Sequence, residues 1–486
     1  MEAGEIESEI TITVPEAGAV APLILERPEH PVSRRDIDPR VLKVLYRLIN
    51  AGHVAYLVGG GVRDLMMARR PKDFDIATSA HPQQVRDLFR NSRLIGRRFR
   101  LVHVFFGPDN IEVATFRRHA EEIPADDPLI RHDNTFGTTE EDAFRRDFTV
   151  NALFYDPSSF RVIDYTGGVA DLRARLIRTI GEPELRMRED PVRMLRAVRF
   201  AAKLGFEIEP ETRAAIERHR EDLLKASVPR LVEETYRAFG IAATTRVLVL
   251  MKELGLLEIL LPWLANHLGA IDHPASASVT MANLAALGRA IETGAETSHA
   301  MVLACLFADL HLRPPDGIAP VELVDELRER GFARADTDRM RLMLDAFAYL
   351  PAPSRRTRRL LNRPYFAETR RLYEMIGPNY GYDPAALVRF IEDPERWLAE
   401  HSPERHRRAD SGAAGDGANV PGRRRRRGRR GGRSRRRRRG GQGTIVSAPA
   451  SIDITAAPEV ASHRDSAAGA KGISTDDPKS DGGRDD

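Results

Sequence analysis

The sequence predicts an α+β protein, in which a mixed sheet with helices precedes all-α regions and a disordered basic tail. Three observations carry this prediction. In the first 166 residues, short apolar runs alternate with glycine turns and amphipathic stretches. From residue 167 to about 400, apolar residues recur with helical spacing almost throughout. From residue 402 the chain is mostly Ser, Gly, Ala, Asp and Arg, which bury too little apolar surface to offset chain entropy.

Local signals predict the elements in chain order. Residues 1–31 are acidic, contain proline and lack periodicity, so we expect a disordered arm. Asp38 can cap a helix that ends near Gly52, and the apolar run from Val54 to Val58 predicts a strand. The same signals predict strands at 74–78, 99–106 and 111–116, and helices at 62–68, 82–89, 192–204, 210–225, 231–239, 243–254, 278–292 and 300–310.

Composition and charge exclude several classes of protein. The 486 residues include one cysteine and no run of 18 apolar residues, so we expect neither a disulfide framework, a thiolate metal site nor a membrane span. The N-terminus is acidic and does not resemble a signal sequence, which favours a cytoplasmic protein. Residues 423–439 contain thirteen arginines and no acid, so the net charge of +4 leaves −9 on the remainder. We therefore expect the tail to bind polyanions.

A glycine turn after the first predicted strand is a candidate phosphate site. Gly59, Gly60 and Gly61 let the backbone approach a ligand closely, and the helix that follows offers amide donors to a phosphate. Arg63, in the first turn of that helix, can add a fork of donors to a triphosphate. The alternative is that these glycines form an ordinary tight turn.

Asp73 and Asp75 form a candidate metal site. Residues two apart on a strand point to one face, so the two carboxylates can share a hard cation such as Mg²⁺. Such a pair suits two-metal phosphoryl transfer, which a third carboxylate usually completes. Glu112 and Asp147 are both candidates for the third, and position alone does not choose between them. The alternative is a pair of solvated acids at a strand end.

Four blocks together resemble one known family. They are GGGVRD at 59–64, DFD at 73–75, RRDFTVNA at 145–152 and EDPVRMLRAVRF at 189–200. In order and spacing they resemble the class II tRNA nucleotidyltransferase and bacterial poly(A) polymerase family. The resemblance is close over residues 30–240 and weak from there to about 400.

The resemblance implies the domain organisation and the roles of the head residues. It implies a polymerase-β-like nucleotidyltransferase head at 32–166, a helical neck that recognises the base at 167–240, a helical RNA-binding body at 241–401 and the Arg-rich tail at 402–486. By the same resemblance, Asp73 and Asp75 would bind Mg²⁺ and Asp147 would be a further catalytic acid near the incoming ribose. Arg146 would contact the triphosphate of the ATP substrate.

In this family an EDxxR block on a neck helix pairs an Asp and an Arg with the Watson–Crick edge of the nucleotide. Asp190 and Arg193 match those positions. Asp190 can accept from an exocyclic amine and Arg193 can donate to ring and carbonyl acceptors, and their i, i+3 spacing predicts that they share one helix face. Arg196, three residues further on, can reach a phosphate. The alternative is that this block only caps a helix, since Pro191 suits an early helical position.

The family contains enzymes that complete the CCA end of tRNA and enzymes that add adenosine tails to many RNAs. The stretch 94–104 resembles the poly(A) polymerase branch, and an Arg-rich tail suits general RNA capture. We therefore predict Mg²⁺-dependent, template-independent transfer of AMP from ATP to RNA 3′-hydroxyl ends, in mRNA processing and RNA decay. The predicted partners are RNA 3′ ends and the RNA-decay machinery, with no membrane. CCA addition is the alternative within the family, and a non-catalytic RNA-binding scaffold is the alternative of another class.

Overall fold

A computed structural model describes residues 21–96, 101–118, 136–269, 274–314 and 320–401. The strands in these ranges are β1 (Leu23–Leu25), β2 (Ala55–Val58), β3 (Asp75–Thr78), β4 (Ser92–Ile95), β5 (Leu101–Phe106), β6 (Asp109–Thr115), β7 (Leu153–Asp156), β8 (Arg161–Asp164), β9 (Leu176–Ile177) and β10 (Glu207–Ile208). The first helices are α1 (Pro39–Asn50), α2 (Gly60–Met66), α3 (Pro82–Leu88), α4 (Thr139–Phe144) and α5 (Gly168–Ala174).

The remaining helices follow one another almost without interruption. They are α6 (Pro183–Glu189), α7 (Val192–Leu204), α8 (Pro210–His219), α9 (Val228–Phe239), α10 (Thr244–Glu253), α11 (Leu256–Leu260), α12 (Pro262–Leu268), α13 (Pro274–Glu292), α14 (His299–Leu312), α15 (Pro320–Glu329), α16 (Arg334–Phe347), α17 (Arg355–Leu360), α18 (Phe366–Ile376), α19 (Pro384–Glu392) and α20 (Pro394–Glu400). The α+β class is therefore confirmed: a mixed sheet precedes a long helical region. In the described ranges, no helix is both long enough and apolar enough to cross a bilayer.

Eight strands form one mixed sheet, in the order β1-β8-β7-β2-β3-β6-β5-β4. Every neighbouring pair is antiparallel except β3 and β6, which run parallel with Asp75 opposite Glu112. A parallel pair needs a crossover connection, and α3, β4 and β5 lie within it. This topology brings together two carboxylates that are far apart in sequence.

The two faces of the sheet bury different elements. Successive side chains of a strand point to opposite faces, and Ile76 packs in the core with α1, α2 and α3. Ala77 packs in the smaller core on the other face, with Phe154. Asp75 therefore faces the same side as Ala77, away from α1.

A single apolar core runs through the helical region and reaches the sheet domain. It contains Phe148 from the end of the sheet domain, Val198 of α7, Phe239 of α9 and Phe347 of α16. The helices after residue 167 therefore pack directly on the first domain. The boundary at residue 240 stays a prediction, since this core continues across it.

The structure differs from the sequence expectations at several elements. The expected arm included residues 23–25, but these form β1, which pairs with β8. β4, β7 and β8 were not predicted. Residues 1–20, the stretch 97–100 and the tail 402–486 lie outside the described residues.

Candidate active site

The glycine turn lies at the centre of the candidate site. β2 ends at Val58 and Gly59 adopts φ +70° and ψ −136°, a backbone conformation that favours glycine. A methyl group on Gly59 would lie 3.3 Å from Nη1 of Arg146 and 4.0 Å from Oδ2 of Asp75. The turn that leads into α2, one guanidinium and one carboxylate therefore meet at one point.

Gly60 and Gly61 occupy the first turn of α2, which begins two residues before the predicted start at 62, and each is closely surrounded. A methyl group on Gly61 would lie 3.4 Å from the carbonyl oxygen of Asp73. A methyl group on Gly60 would lie 3.4 Å from Nη2 of Arg63. Gly61 therefore lies directly against the segment that carries the two aspartates, and Gly60 lies against the Arg63 side chain.

Arg146 is fixed beside the glycine turn. Its Nε and Nη2 donate to Oδ2 of Asp142 at 3.2 and 2.9 Å, and Nη1 donates to the carbonyl of Asn151 at 3.4 Å. The guanidinium also lies 5.5 Å from the ring centroid of Phe154. Arg146 therefore presents a positioned positive charge where the sequence predicts a triphosphate.

Three carboxylates lie at the same edge of the sheet. Asp75 begins β3 with Glu112 directly opposite on β6, while Asp73 precedes the strand. Burial, together with the negative charges of Glu112 and Asp73, raises the pKa of Asp75 to about 6, and Arg146 opposes this effect. A hard divalent cation relieves the repulsion between neighbouring carboxylates by accepting their oxygens as ligands, so these residues fit Mg²⁺. Within the described ranges, no three His, Cys, Asp or Glu side chains form a ready-made metal cluster.

Asp147, whose catalytic role stays a prediction, is hydrogen-bonded within the protein. Its Oδ1 accepts from the backbone amide of Phe148 at 2.8 Å and from Nδ2 of Asn151 at 3.3 Å. Its Oδ2 accepts from Nε of Arg196 at 2.9 Å and also from Nη2 of that residue. Burial opposes ionisation, yet the guanidinium holds the pKa of Asp147 below its usual value. Of the two candidates for the third carboxylate, Glu112 is therefore the one that lies beside Asp75.

Arg196 joins the first domain to two helices. Besides Asp147, it approaches Oε1 of Glu234 on α9, with Nη1 at 3.4 Å. Arg199 donates to the same oxygen at 3.1 Å. The predicted phosphate contact of Arg196 would compete with this network, which instead holds α7 and α9 against the sheet domain.

Arg63 is also used within the protein. Its side chain is only 2% exposed, and Nε and Nη2 donate to Asp64 at 2.8 and 2.7 Å. Nη1 donates to Oδ1 of Asn151 at 2.6 Å. The guanidinium connects α2 to the segment after Asp147 and uses three of its five N–H donors within the protein, so a contact with a triphosphate stays a prediction.

Asp190 and Arg193 do not share a helix, which corrects the prediction of one helix face. α6 ends at Glu189, Asp190 has φ −141°, and α7 begins after Pro191. Proline disfavours helical geometry in the residue before it and lacks the amide that would continue α6. Because the helix is interrupted between them, the i, i+3 spacing does not set the relative directions of the two side chains.

Both side chains are nevertheless oriented. Oδ2 of Asp190 accepts from Nη2 of Arg230 at 2.8 Å, and Nη1 of Arg193 donates to the carbonyl of Arg186 at 2.6 Å. Among the described residues, Oδ1 of Asp190 is buried and accepts no hydrogen bond. A buried acceptor of this kind is suited to a donor on a ligand.

Four residues that shape the site were not singled out from the sequence: Asp142, Asn151, Arg230 and Glu234. Asp142 is fully buried and neutralises both Arg145 and Arg146. An acid three and four residues before paired arginines is a detectable helical signal. Each of the other three also bonds a residue from a distant part of the chain, which no local pattern marks.

Replacing Gly59 by Ala should weaken ATP binding. The alanine would have to adopt a glycine conformation, at a cost of about 1–3 kcal/mol, and its methyl group would press on Arg146. We expect the KM for ATP to rise about tenfold. Gly52→Ala is the matched control, because Gly52 also has a positive φ, +87°, but has nothing within 4 Å. Equal effects of both changes on KM would contradict a role for the turn.

Two family models match the chain. Residues 55–178 match the poly A polymerase head domain, and residues 205–268 match the probable RNA and SrmB-binding site of polymerase A. Poly(A) polymerase I of Salmonella typhi is 51% identical over 252 residues, which are 50% of this chain and 54% of that relative. This chain thus matches about half the length of that relative.

Relatives with a second activity are more distant. The CCA-adding enzyme of Bacillus velezensis is 40% identical over 228 residues, 47% of this chain and 57% of the relative. The crystal structure of the Bacillus stearothermophilus CCA-adding enzyme in complex with CTP superposes with a TM-score of 0.56 at 28% identity. That match covers 75% of this chain and 83% of the other. It confirms the nucleotidyltransferase type of the head and the helical architecture that follows.

Proposed function

We propose that this chain, which matches the models of a poly(A) polymerase head domain and RNA-binding site over residues 55–178 and 205–268, transfers AMP from ATP to RNA 3′-hydroxyl ends without a template. One observation carries the proposal: the glycine turn, Arg146 and the Asp75–Glu112 pair meet at one edge of the sheet. The 51% identity to a poly(A) polymerase, against 40% to a CCA-adding enzyme, favours ATP as the only nucleotide.

The residues of the head provide the phosphate and metal subsites. Amides of the glycine turn at the start of α2 bind the triphosphate, and Arg146 adds a positive charge beside them. Asp75, Asp73 and Glu112 would hold Mg²⁺. When bound there, magnesium lowers the pKa of the attacking 3′-hydroxyl and neutralises charge on the leaving pyrophosphate. Asp147 orients Arg196 by accepting its hydrogen bonds, so we assign Asp147 a positioning role beside the ribose.

The residues after α6 provide the base subsite. Oδ1 of Asp190 accepts a hydrogen bond from the exocyclic amine of adenine, while Arg230 donates to Oδ2 of Asp190. Arg193, fixed through Nη1 by the Arg186 carbonyl, directs its remaining donors to ring acceptors. Cytosine also carries an amine, so this pair alone does not exclude CTP.

The experiment that tests the proposal uses purified full chain, Mg²⁺ and a generic RNA with a free 3′-hydroxyl. With ATP alone, we expect a long ladder of products. Addition that stops after C, C and A on trimmed tRNA would assign the chain to the CCA-adding branch. RNA binding without any nucleotide addition would favour the scaffold alternative.

The predicted RNA partner rests partly on the tail. Deleting residues 402–486 removes the thirteen arginines at 423–439, so we expect weaker RNA binding with a smaller salt dependence. The rate of AMP transfer on saturating RNA should stay unchanged. Deleting only residues 440–486 is the control, since the arginine run then remains. Unchanged RNA affinity and salt dependence after the longer deletion would contradict the prediction. A partner from RNA decay stays a prediction.

A further inference from the structure

The outer face of α1 carries a shallow groove on the head. Pro39, Leu42, Lys43, Tyr46, Arg47 and Asn50 line a cavity of about 580 Å³ along the helix. A second cavity, of about 410 Å³, adjoins it at Leu42 and is lined by Arg27, Arg34, Arg35 and Phe160. We call the two together the α1 groove. The helix presents this face to solvent because its other face, with Val44 and Leu45, is buried against the sheet.

Five positive side chains line the α1 groove without acidic partners. None of Arg27, Arg34, Arg35, Lys43 and Arg47 has a carboxylate within salt-bridge distance in the part of the chain that the structure describes. Most arginines of the helical region, in contrast, are paired with an acid. The groove is therefore a concentration of uncompensated positive charge.

Nearby acids only partly offset this charge. Glu26 pairs with Arg161 at 2.8 Å, and Asp38 pairs with Arg40 at 2.7 Å. Glu29 and Asp36 are exposed and remain unpaired among the described residues, so two negative charges face five positive ones. The groove keeps a positive potential that attracts a polyanion.

Arg34, one of the five positive side chains, is held in place. The Arg34 guanidinium lies 4.3 Å from the ring centroid of Phe160, and its Nη1 donates to the Tyr46 hydroxyl at 2.8 Å. The Tyr46 hydroxyl in turn donates to the carbonyl of Pro157 at 3.0 Å. A guanidinium stacked on one side offers its outer face to a base and its free N–H groups to a phosphate.

We propose that the α1 groove binds single-stranded RNA upstream of the reacting 3′ end, an inference that rests on the proposed function. Aligned positive charges beside aromatic rings fit a flexible phosphate backbone with accessible bases. The groove lies on the face of the sheet opposite to Asp75, so it cannot hold the nucleotides at the site of addition. It selects long RNA over short RNA, because only long strands reach both sites.

The test is a charge reversal in the full chain, Lys43→Glu with Arg47→Glu. For RNA of about 40 nucleotides we expect affinity at low salt to fall about tenfold or more, and the slope of log K against log salt to decrease by about 1.4, or about 0.7 for each lost contact. Affinity for an oligonucleotide of about 8 nucleotides should stay unchanged, since it occupies the reacting end alone. Equal affinity and slope for the variant and the unaltered chain on long RNA would overturn the proposal.

Three controls make the result specific. Lys43→Arg with Arg47→Lys keeps the charge and should bind long RNA normally. Arg173→Glu with Arg175→Glu changes two exposed arginines at the end of α5, outside the predicted RNA-binding body, and should leave the slope unchanged; an equal loss would show a nonspecific charge effect and overturn the proposal. Lys43→Gln with Arg47→Gln, which tests against misfolding of the glutamate variant, should lower the slope similarly.

Two further readouts separate the possible failures. If the glutamate variant loses binding to polyglutamate but not to long RNA, the partner is an acidic protein and the proposal is wrong. If neither the unaltered chain nor its variants transfer AMP, but the salt slope for long RNA falls as expected in the glutamate variant, the proposed function is wrong and RNA binding by the α1 groove is supported. With transfer present, its rate on saturating RNA should be the same in the variant.

Discussion

Replacing Asp75 by Asn is expected to lower AMP transfer by about 10³-fold or more. The change removes one negative charge from the carboxylate set while the amide fits the same space. Because Asp75 faces Glu112 across the parallel β3–β6 pair, the loss should fall on metal binding and chemistry and leave RNA binding intact. The measurement is single-turnover transfer with saturating RNA, ATP and Mg²⁺.

Two comparisons sharpen this expectation. Asp87→Asn alters an exposed carboxylate on α3 and should transfer AMP normally. Glu112→Gln should also reduce transfer without lowering thermal stability, whereas Asp147→Asn should lower stability, since Asp147 is bonded to Arg196. Transfer that survives Asp75→Asn would remove the metal site from the proposal. Chelation of Mg²⁺ should stop transfer by the unaltered chain.

The second large effect, a loss of folding stability, is expected from Arg196→Ala. This change leaves the Asp147 carboxylate, which is 12% exposed, without its guanidinium and also removes a contact to Glu234. Breaking a buried ion pair on one side costs about 3–5 kcal/mol, and we expect about 3 kcal/mol because Arg196 keeps 30% exposure. The free energy of unfolding from urea titration measures it.

A double change tests the cause of this loss. Asp147→Asn with Arg196→Met removes both charges, so it should recover part of the stability lost in Arg196→Ala. The pKa of Asp147 is below its ordinary value, so the stabilisation by the pair is present at neutral pH and is lost as pH falls through the folded-state pKa. The destabilisation by Arg196→Ala should therefore shrink in acid. Equal stability of Arg196→Ala and the unaltered chain at neutral pH would contradict this account.

The sequence was sufficient where the signal is local. The glycine turn, the strand that begins at Asp75 and the helix at 192–204 each follow from a few adjacent residues, and the structure has all three. The sequence was insufficient where a side chain meets a partner far along the chain. Arg63 bonds Asn151 across 88 positions and Asp147 bonds Arg196 across 49. Whether an arginine bonds within the protein or to a ligand depends on its burial, and a sequence motif does not show burial.

The break between α6 and α7, in contrast, does have a local signal in the sequence. Pro191 was present as a local signal, and it predicts that Asp190 leaves helical geometry. The i, i+3 spacing of Asp190 and Arg193 predicts one helix face only if a single helix runs through Pro191. The structure places the proline at the N-cap of α7 and Asp190 outside both helices.

The crossover between β3 and β6 makes part of the head open to engineering. Ladder hydrogen bonds pair residues 75–78 of β3 with 112–115 of β6, and the β5–β6 turn at Gly107 lies outside that ladder. The hairpin tip at Gly107, where an added Cβ would meet nothing within 4 Å, is therefore a permissive position for an inserted tag or label. A fluorophore or a tether placed there would report on the head without disturbing the carboxylates.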